Sequence, residues 1–181
     1  MPSAPTSCHA TLVAIAQQGV LLRGESGIGK STLALGLIDR GHRLVSDDLV
    51  EFSLCNQQLI GTVPRQQHAL IQIDGIGLFD IARLYGPKAA ISSHPIHLVV
   101  DLTTEPLAEE PLLTLSATPI SILNQTLPAI TLNHQHHRIT PQLLEMCVKR
   151  WHNEKETSVP SYPTHPDPLI RSSVNPSPSC S

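Results

Sequence analysis

The sequence of 181 residues predicts an α/β domain, a mixed sheet with flanking helices. Three observations carry that expectation. "GVLLRG" is a short apolar run ending in glycine, as for a buried strand, and "GKSTLALGLIDRG" follows with Leu33, Leu37 and Ile38 at helical spacing. "HRLVSDD", "HALIQI" and "IHLVVDL" are further strand candidates. "TPQLLEMCVKRWHN" reads as a helix, with Thr140 as N-cap, Pro141 at the first helical position and basic residues near its end.

The remaining elements follow in order. Gly41 is the expected stop of the first helix. "LVEFSLCNQQLIGTVP" suggests a hairpin. "TPISILNQTLPAITL" is rich in β-branched residues and is broken by Pro128. Near residue 153 the composition shifts to Pro and Ser without apolar periodicity. Such a segment buries too little surface to offset its ordering entropy. The organisation expected is therefore a folded domain over 1–153 and a flexible tail over 154–181, with no internal repeat.

Composition narrows the function. The chain is 40% hydrophobic and 15% charged, with a formal net charge of −3 and 3% aromatic residues. A basic face interleaved with stacking rings is missing, which argues against nucleic acid as a partner. Cys8, Cys55, Cys147 and Cys180 show no C-x-x-C spacing and read as reduced thiols of a cytoplasmic protein. The start has no basic segment, and its apolar run is broken by Gln17 and Gln18, unlike a signal peptide. No apolar stretch approaches the roughly 18 residues of a membrane span.

Gly24-Glu25-Ser26-Gly27-Ile28-Gly29-Lys30-Ser31 fits the pattern G-x-x-x-x-G-K-[ST], between a predicted strand and a predicted helix. Glycines let the backbone turn tightly so that its N–H groups face phosphate oxygens, and the helix N-terminus adds partial positive charge. Lys30 is expected to neutralise β- and γ-phosphate charge, and the Ser31 hydroxyl to ligate Mg²⁺. Sixteen residues after Ser31 stand Asp47 and Asp48. In such enzymes an apolar strand ending in Asp supplies a second Mg²⁺ contact; "RLVSDD" and "HLVVDL" with Asp101 both qualify. An acid pair can divide labour, one member at the metal and the other accepting a proton. The competing reading is a solvated acidic turn.

"GESGIGKSTLALGLIDRGHRLVSDDLVEF" closely resembles the catalytic domain of the HPr kinase/phosphorylase family, which pairs the loop with an RGHRL-x-x-DD segment at this distance. "IQIDGIGLFDIARLYG" resembles a second family signature, and "LPAITLNHQHHRIT" a third, weaker one. The resemblance covers roughly residues 8 to 150. It implies a phosphate-loop fold of the HPr kinase type, ATP and Mg²⁺ as cofactors, and an HPr-like phosphocarrier protein as partner, phosphorylated on serine. It also implies a cytoplasmic homo-oligomer, hexameric in the family. Residue by residue, it implies that Asp48 is the proton acceptor for the attacking serine and that Asp47 supports Mg²⁺ or orients Asp48. His9, fifteen residues before Gly24, matches a family histidine. Arg138 falls where the family has an arginine implicated in transfer.

Three departures stand out. The family's metal-contacting Glu is Gln72, and the Arg two residues later is Asp74. The family's N-terminal domain has no counterpart, and its last helix reads as shortened, which bears on reverse phosphorylase activity more than on kinase activity. Two alternatives therefore stay open: a nucleotide-binding regulator with weak or no catalysis, and a same-fold kinase with another acceptor. His134, His136 and His137 lack zinc-ligand spacing and read as a solvated polar loop.

Overall fold

The computed structural model describes residues 6–105, 113–114, 119–134 and 138–156. In chain order the strands are β1 (Thr6–Cys8), β2 (Thr11–Ile15), β3 (Gln18–Arg23), β4 (Arg43–Ser46), β5 (Val50–Cys55), β6 (Gln58–Thr62), β7 (Leu70–Ile73), β8 (Gly77–Asp80), β9 (Ser93–Pro95), β10 (Leu98–Thr103), β11 (Leu113–Thr114), β12 (Ile120–Ile122), β13 (Gln125–Leu127) and β14 (Ala129–Asn133). The helices are α1 (Lys30–Asp39), α2 (Ile81–Tyr85) and α3 (Pro141–Glu156).

The central sheet is six-stranded, in the order β11-β14-β10-β3-β2-β4. It is mixed: β10 runs parallel to β3 and β14, whereas β2 is antiparallel to both β3 and β4. Strand β4 is therefore parallel to β3, and α1 carries the chain over β2 to reach it. This crossover decides where the chemistry sits. The loop after β3 and the acids after β4 leave the sheet at the carboxyl ends of two like-directed strands. Strand β2, running the other way between them, begins at that same edge with His9 and Thr11 just before and at its start. Register confirms the alignment, with Thr11 opposite Leu22 and Leu12 opposite Ser46.

Both faces of the sheet are covered, which is why its strands read as continuous apolar runs. Val20, Leu22, Leu98 and Val100 point to one side, where Leu33, Leu37 and Ile38 of α1 and Leu144 and Trp151 of α3 close the core. Leu21 and Val99 point to the other, against Phe52 and Leu59 from a second sheet ordered β1-β5-β6-β9. Cys147 packs in the first core as a free thiol, and burial pushes it up to about 11, out of reach of ordinary thiol chemistry.

Helix ends fall where expected. Gly41, at φ 90, donates its N–H to Ile38 O at 2.9 Å, and His42 donates to Leu37 O at 3.1 Å, the paired bonds of a Schellman stop. Thr140 Oγ1 accepts from the Leu143 N–H at 3.2 Å and so caps α3. Helix α3 continues to Glu156, past the compositional shift at 153; residues 157–181 lie outside the described residues, as do His136 and His137.

An ion cluster ties α3 to the end of α1. Glu145, almost fully buried, accepts two hydrogen bonds from Arg40, both at 2.8 Å, and pairs with His42 Nε2 at 2.7 Å. The Arg40 hydrogen bonds, joined by that of His42, hold the Glu145 carboxyl down at about 2 against an ordinary 4.5. Its folded form thus binds a proton less readily than the unfolded chain. The resulting stability is complete above pH 4.5 and is lost as pH falls toward about 2. Urea midpoints measured across that window should drop for the natural chain and change less for Glu145→Gln, which starts lower at neutral pH. Parallel pH profiles for the two proteins would contradict this account.

Candidate functional site

The loop between β3 and α1 is built around close approach. Gly24 adopts φ 144, and a Cβ there would lie 2.6 Å from the Leu102 carbonyl oxygen, so only glycine fits. Gly29 caps α1 without a side chain, and the first turn of α1 has no acid. No carboxylate of the helix's own first turn neutralises the N–H groups there, which suits them to an outside anion. Lys30 is buried, and its Nζ donates to the carbonyls of Gly24 at 2.8 Å and Glu25 at 3.0 Å. An ammonium has three donors, and these two bonds fix its position inside the loop.

The two aspartates have opposite environments. Asp47 is buried at 5% exposure and accepts three hydrogen bonds: from Thr11 Oγ1 at 2.7 Å and Ser31 Oγ at 3.0 Å on Oδ1, and from the Gln72 backbone N–H at 3.2 Å on Oδ2. Asp48 is 64% exposed at the side chain and pairs through Oδ1 with His9 Nδ1 at 2.8 Å. The backbone explains why neighbours diverge. Asp48 has φ 71, and the Leu49 N–H reaches back to Asp47 O at 2.9 Å, closing a γ-turn around Asp48. That turn is rare and strained for a side-chain-bearing residue. It is held by the Ala10 N–H on Asp48 O at 3.2 Å and by the Ser46 hydroxyl on Leu49 O.

These groups surround a cleft of about 240 Å³. Ser26, Gly27, Gly29, Lys30 and Ser31 line it from the loop and the start of α1, His9, Thr11, Asp47 and Asp48 from around the start of β2 and the end of β4, and Gln72 and Asp74 from β7 and the turn after it. Of the residues singled out in the sequence, His9, Lys30, Ser31, Asp47, Asp48 and Gln72 are thus brought together. Gly24, Glu25 and Ile28 belong to the loop without lining the cleft. Arg138 is exposed, two residues before the cap of α3, and is not among the lining residues. Asp101, the competitor for the metal-side acid, is held by Arg23 in a bidentate pair at 2.7 Å and does not line the cleft either.

The model of the HPr Serine kinase C-terminal domain matches residues 3–162. The chain belongs to this family. A relative named HPr kinase/phosphorylase from Lactobacillus acidophilus is 35% identical over 151 residues, 82% of this chain and 47% of its own length. One of the same name from Limosilactobacillus reuteri is 48% identical over 99 residues, 54% of this chain and 31% of its own length. This chain thus spans a third to a half of the curated relatives it matches. The solved Hpr(Ser) kinase/phosphatase of Coxiella burnetii superposes with a TM-score of 0.77 at 37% identity, covering 83% of this chain and 93% of that one. Membership of the HPr kinase family accounts for the mixed α/β architecture.

Thr11 was not legible as a site residue, because a threonine at the head of an apolar strand looks like any other. It is fully buried and holds Asp47 by the shortest of the three bonds. Thr11→Val keeps the shape and removes the donor. It should lower the unfolding free energy by about 1.5–3 kcal/mol, the range for a hydrogen bond to a charged group. An unchanged urea midpoint would show that Ser31 and the Gln72 backbone suffice.

Proposed function

We propose that the chain is an ATP-dependent protein-serine kinase acting on an HPr-like phosphocarrier protein. The observation that carries the reading is the pairing of an exposed Asp48–His9 dyad with a Lys30 glycine loop across one cleft. Family membership supports the acceptor class, as do the names of the relatives.

The residues present fit Mg²⁺. Ser31 Oγ and Asp47 Oδ1 are hard oxygens 3.0 Å apart in the cleft wall. Among the described residues no group of three or more His, Cys, Asp or Glu side chains forms a metal site. A cation held by Ser31 and Asp47 would take its remaining ligands from phosphates and water. Ser31 and Asp47 would hold the cation, which would supply positive charge to offset that of the phosphates. The backbone N–H groups of the loop and Lys30 then hold the triphosphate and stabilise charge on the transferring group. The acceptor hydroxyl oxygen bonds to the γ-phosphorus as the bond from that phosphorus to the bridging oxygen breaks, and ADP leaves. The hydroxyl proton passes to the Asp48 carboxylate, which His9 orients through Oδ1. Asp47, locked by three donors, keeps the metal-side geometry while Asp48 stays accessible.

Gln72 and Asp74, both lining the cleft, favour one second reading, a nucleotide-binding regulator with little catalysis. Incubation of the protein with Mg²⁺, γ-labelled ATP and a purified HPr protein separates the two. The kinase reading expects label on an HPr serine; tight ATP binding without labelled HPr would favour the regulator. A cytoplasmic homo-oligomer is part of the same proposal on grounds of family membership, and light scattering measures the assembly. No described helix is long and apolar enough to cross a membrane.

A further inference from the structure

Asp101 has the residue pattern of a metal-side acid, yet it does not line the cleft. It stands near the carboxyl end of β10, opposite Arg23, the last residue of the parallel strand β3. Arg23 Nε donates to Asp101 Oδ1 and Arg23 Nη2 to Asp101 Oδ2, both at 2.7 Å. Two parallel bonds from a planar guanidinium fix orientation as well as distance. The two side chains are 31% and 32% exposed, and a pair this open to water adds little to overall stability. What the pair does well is hold one strand end against the other.

The next residue of each strand is held too. Gly24 follows Arg23, Leu102 follows Asp101, and Gly24 approaches the Leu102 carbonyl so closely that no Cβ fits between them. Two consecutive residues of one strand end are thus fixed to two of the other, at the point where the chain leaves the sheet for the glycine loop. Gly24 matters because its carbonyl accepts from Lys30 Nζ at 2.8 Å. With φ 144 and no side chain of its own, Gly24 is restrained only from outside. Asp101, Arg23, Gly24 and Lys30 therefore form a continuous line from the sheet to the ammonium. Arg23 also offsets the Asp101 charge, so that a carboxylate one strand spacing, roughly 5 Å, from the loop strand does not repel a polyphosphate.

We infer that Arg23 and Asp101 are positioning residues for the phosphate loop. They set the Gly24 carbonyl, and through it Lys30, for the phosphates of a bound nucleotide, while neither lines the cleft itself. This inference rests on the nucleotide-binding part of the kinase reading and is independent of the acceptor.

The test is calorimetric titration with Mg²⁺–ATP, without acceptor, of the natural chain, Asp101→Asn, Arg23→Lys, Lys30→Ala and the double variant Lys30→Ala/Asp101→Asn. Asp101→Asn should raise the Kd for ATP about tenfold. Arg23→Lys keeps the charge and loses the fork, so it should weaken binding as well, and it gives a second reading if Asp101→Asn folds poorly. In the Lys30→Ala background, Asp101→Asn should change the Kd less than about twofold, because the group being positioned is gone. A merely structural role would weaken binding equally in both backgrounds. An unaltered Kd in both Asp101→Asn and Arg23→Lys, or the same loss with and without Lys30, would overturn the positioning role and leave the kinase reading in place. ATP binding that responds as expected, without transfer to a purified HPr protein, would overturn the kinase reading and support the positioning role. No ATP binding by the natural chain would overturn both.

Discussion

Lys30→Ala is expected to abolish phosphoryl transfer and weaken Mg²⁺–ATP binding. The Nζ lies inside the glycine loop on the carbonyls of Gly24 and Glu25, buried from solvent. Charge fixed in a water-poor cleft acts on phosphate oxygens without having to reorient during the reaction. Its removal also takes away the two bonds that close the loop on itself. The loss of rate should be at least about 10²–10³-fold, as for other preorganised stabilising groups. Calorimetry and turnover measured on the same preparation check both effects. Natural ATP affinity together with natural turnover would place the nucleotide elsewhere.

The second large effect is at Asp48. Asp48→Asn should leave ATP affinity intact and cut transfer about 10²–10⁴-fold, the range for a positioned general base. The amide keeps the shape and can still meet His9, but accepts no proton from the attacking hydroxyl. Asp47→Asn should behave differently. Asp47 accepts from Thr11, Ser31 and the Gln72 backbone. An amide nitrogen in place of one oxygen faces donors rather than acceptors, so the variant should need more Mg²⁺ for half-maximal rate and also lose stability. Exchange of the two phenotypes would mean that the acids have each other's roles. Natural rates in both would reduce the pair to a turn.

The loop and the acid pair could be read in advance because both are local. Each lies within a few residues of a strand end, and strand, loop, helix and strand follow one another along the chain. The same holds for the Gly41 stop and the Thr140 cap, which depend on residues within one turn. What escaped notice depends on topology. Strand β2 lies in an apolar run near the start of the chain that carries no alternation, and its turn to β3, with Ala16 at φ 47 and Gln17 at φ 70, has none of the usual Asn-Gly chemistry. Without β2, nothing places Thr11 between the two parallel strands or puts it on Asp47. The motif residues Arg40 and His42 gave no hint of Glu145, about a hundred positions away, because the ion cluster forms only when α3 packs on α1. Asp101 and Asp47 both qualify as strand-end acids by residue pattern alone; the Arg23 pair holds Asp101 outside the cleft, while Ser31 and Thr11 hold Asp47 in it. The γ-turn at Asp48, which sets one acid inward and one outward, has no sequence signature at all.

The most direct test of the account is the fate of the γ-phosphoryl group. Purified protein, Mg²⁺–ATP and a purified HPr protein are incubated together, and the HPr is analysed by intact mass and fragment-ion mapping, with Asp48→Asn run in parallel. The account predicts one phosphoryl group on a single HPr serine for the natural chain, and a rate at least about 10²-fold lower for the variant. ATP bound by both proteins while HPr stays unmodified in both would contradict it.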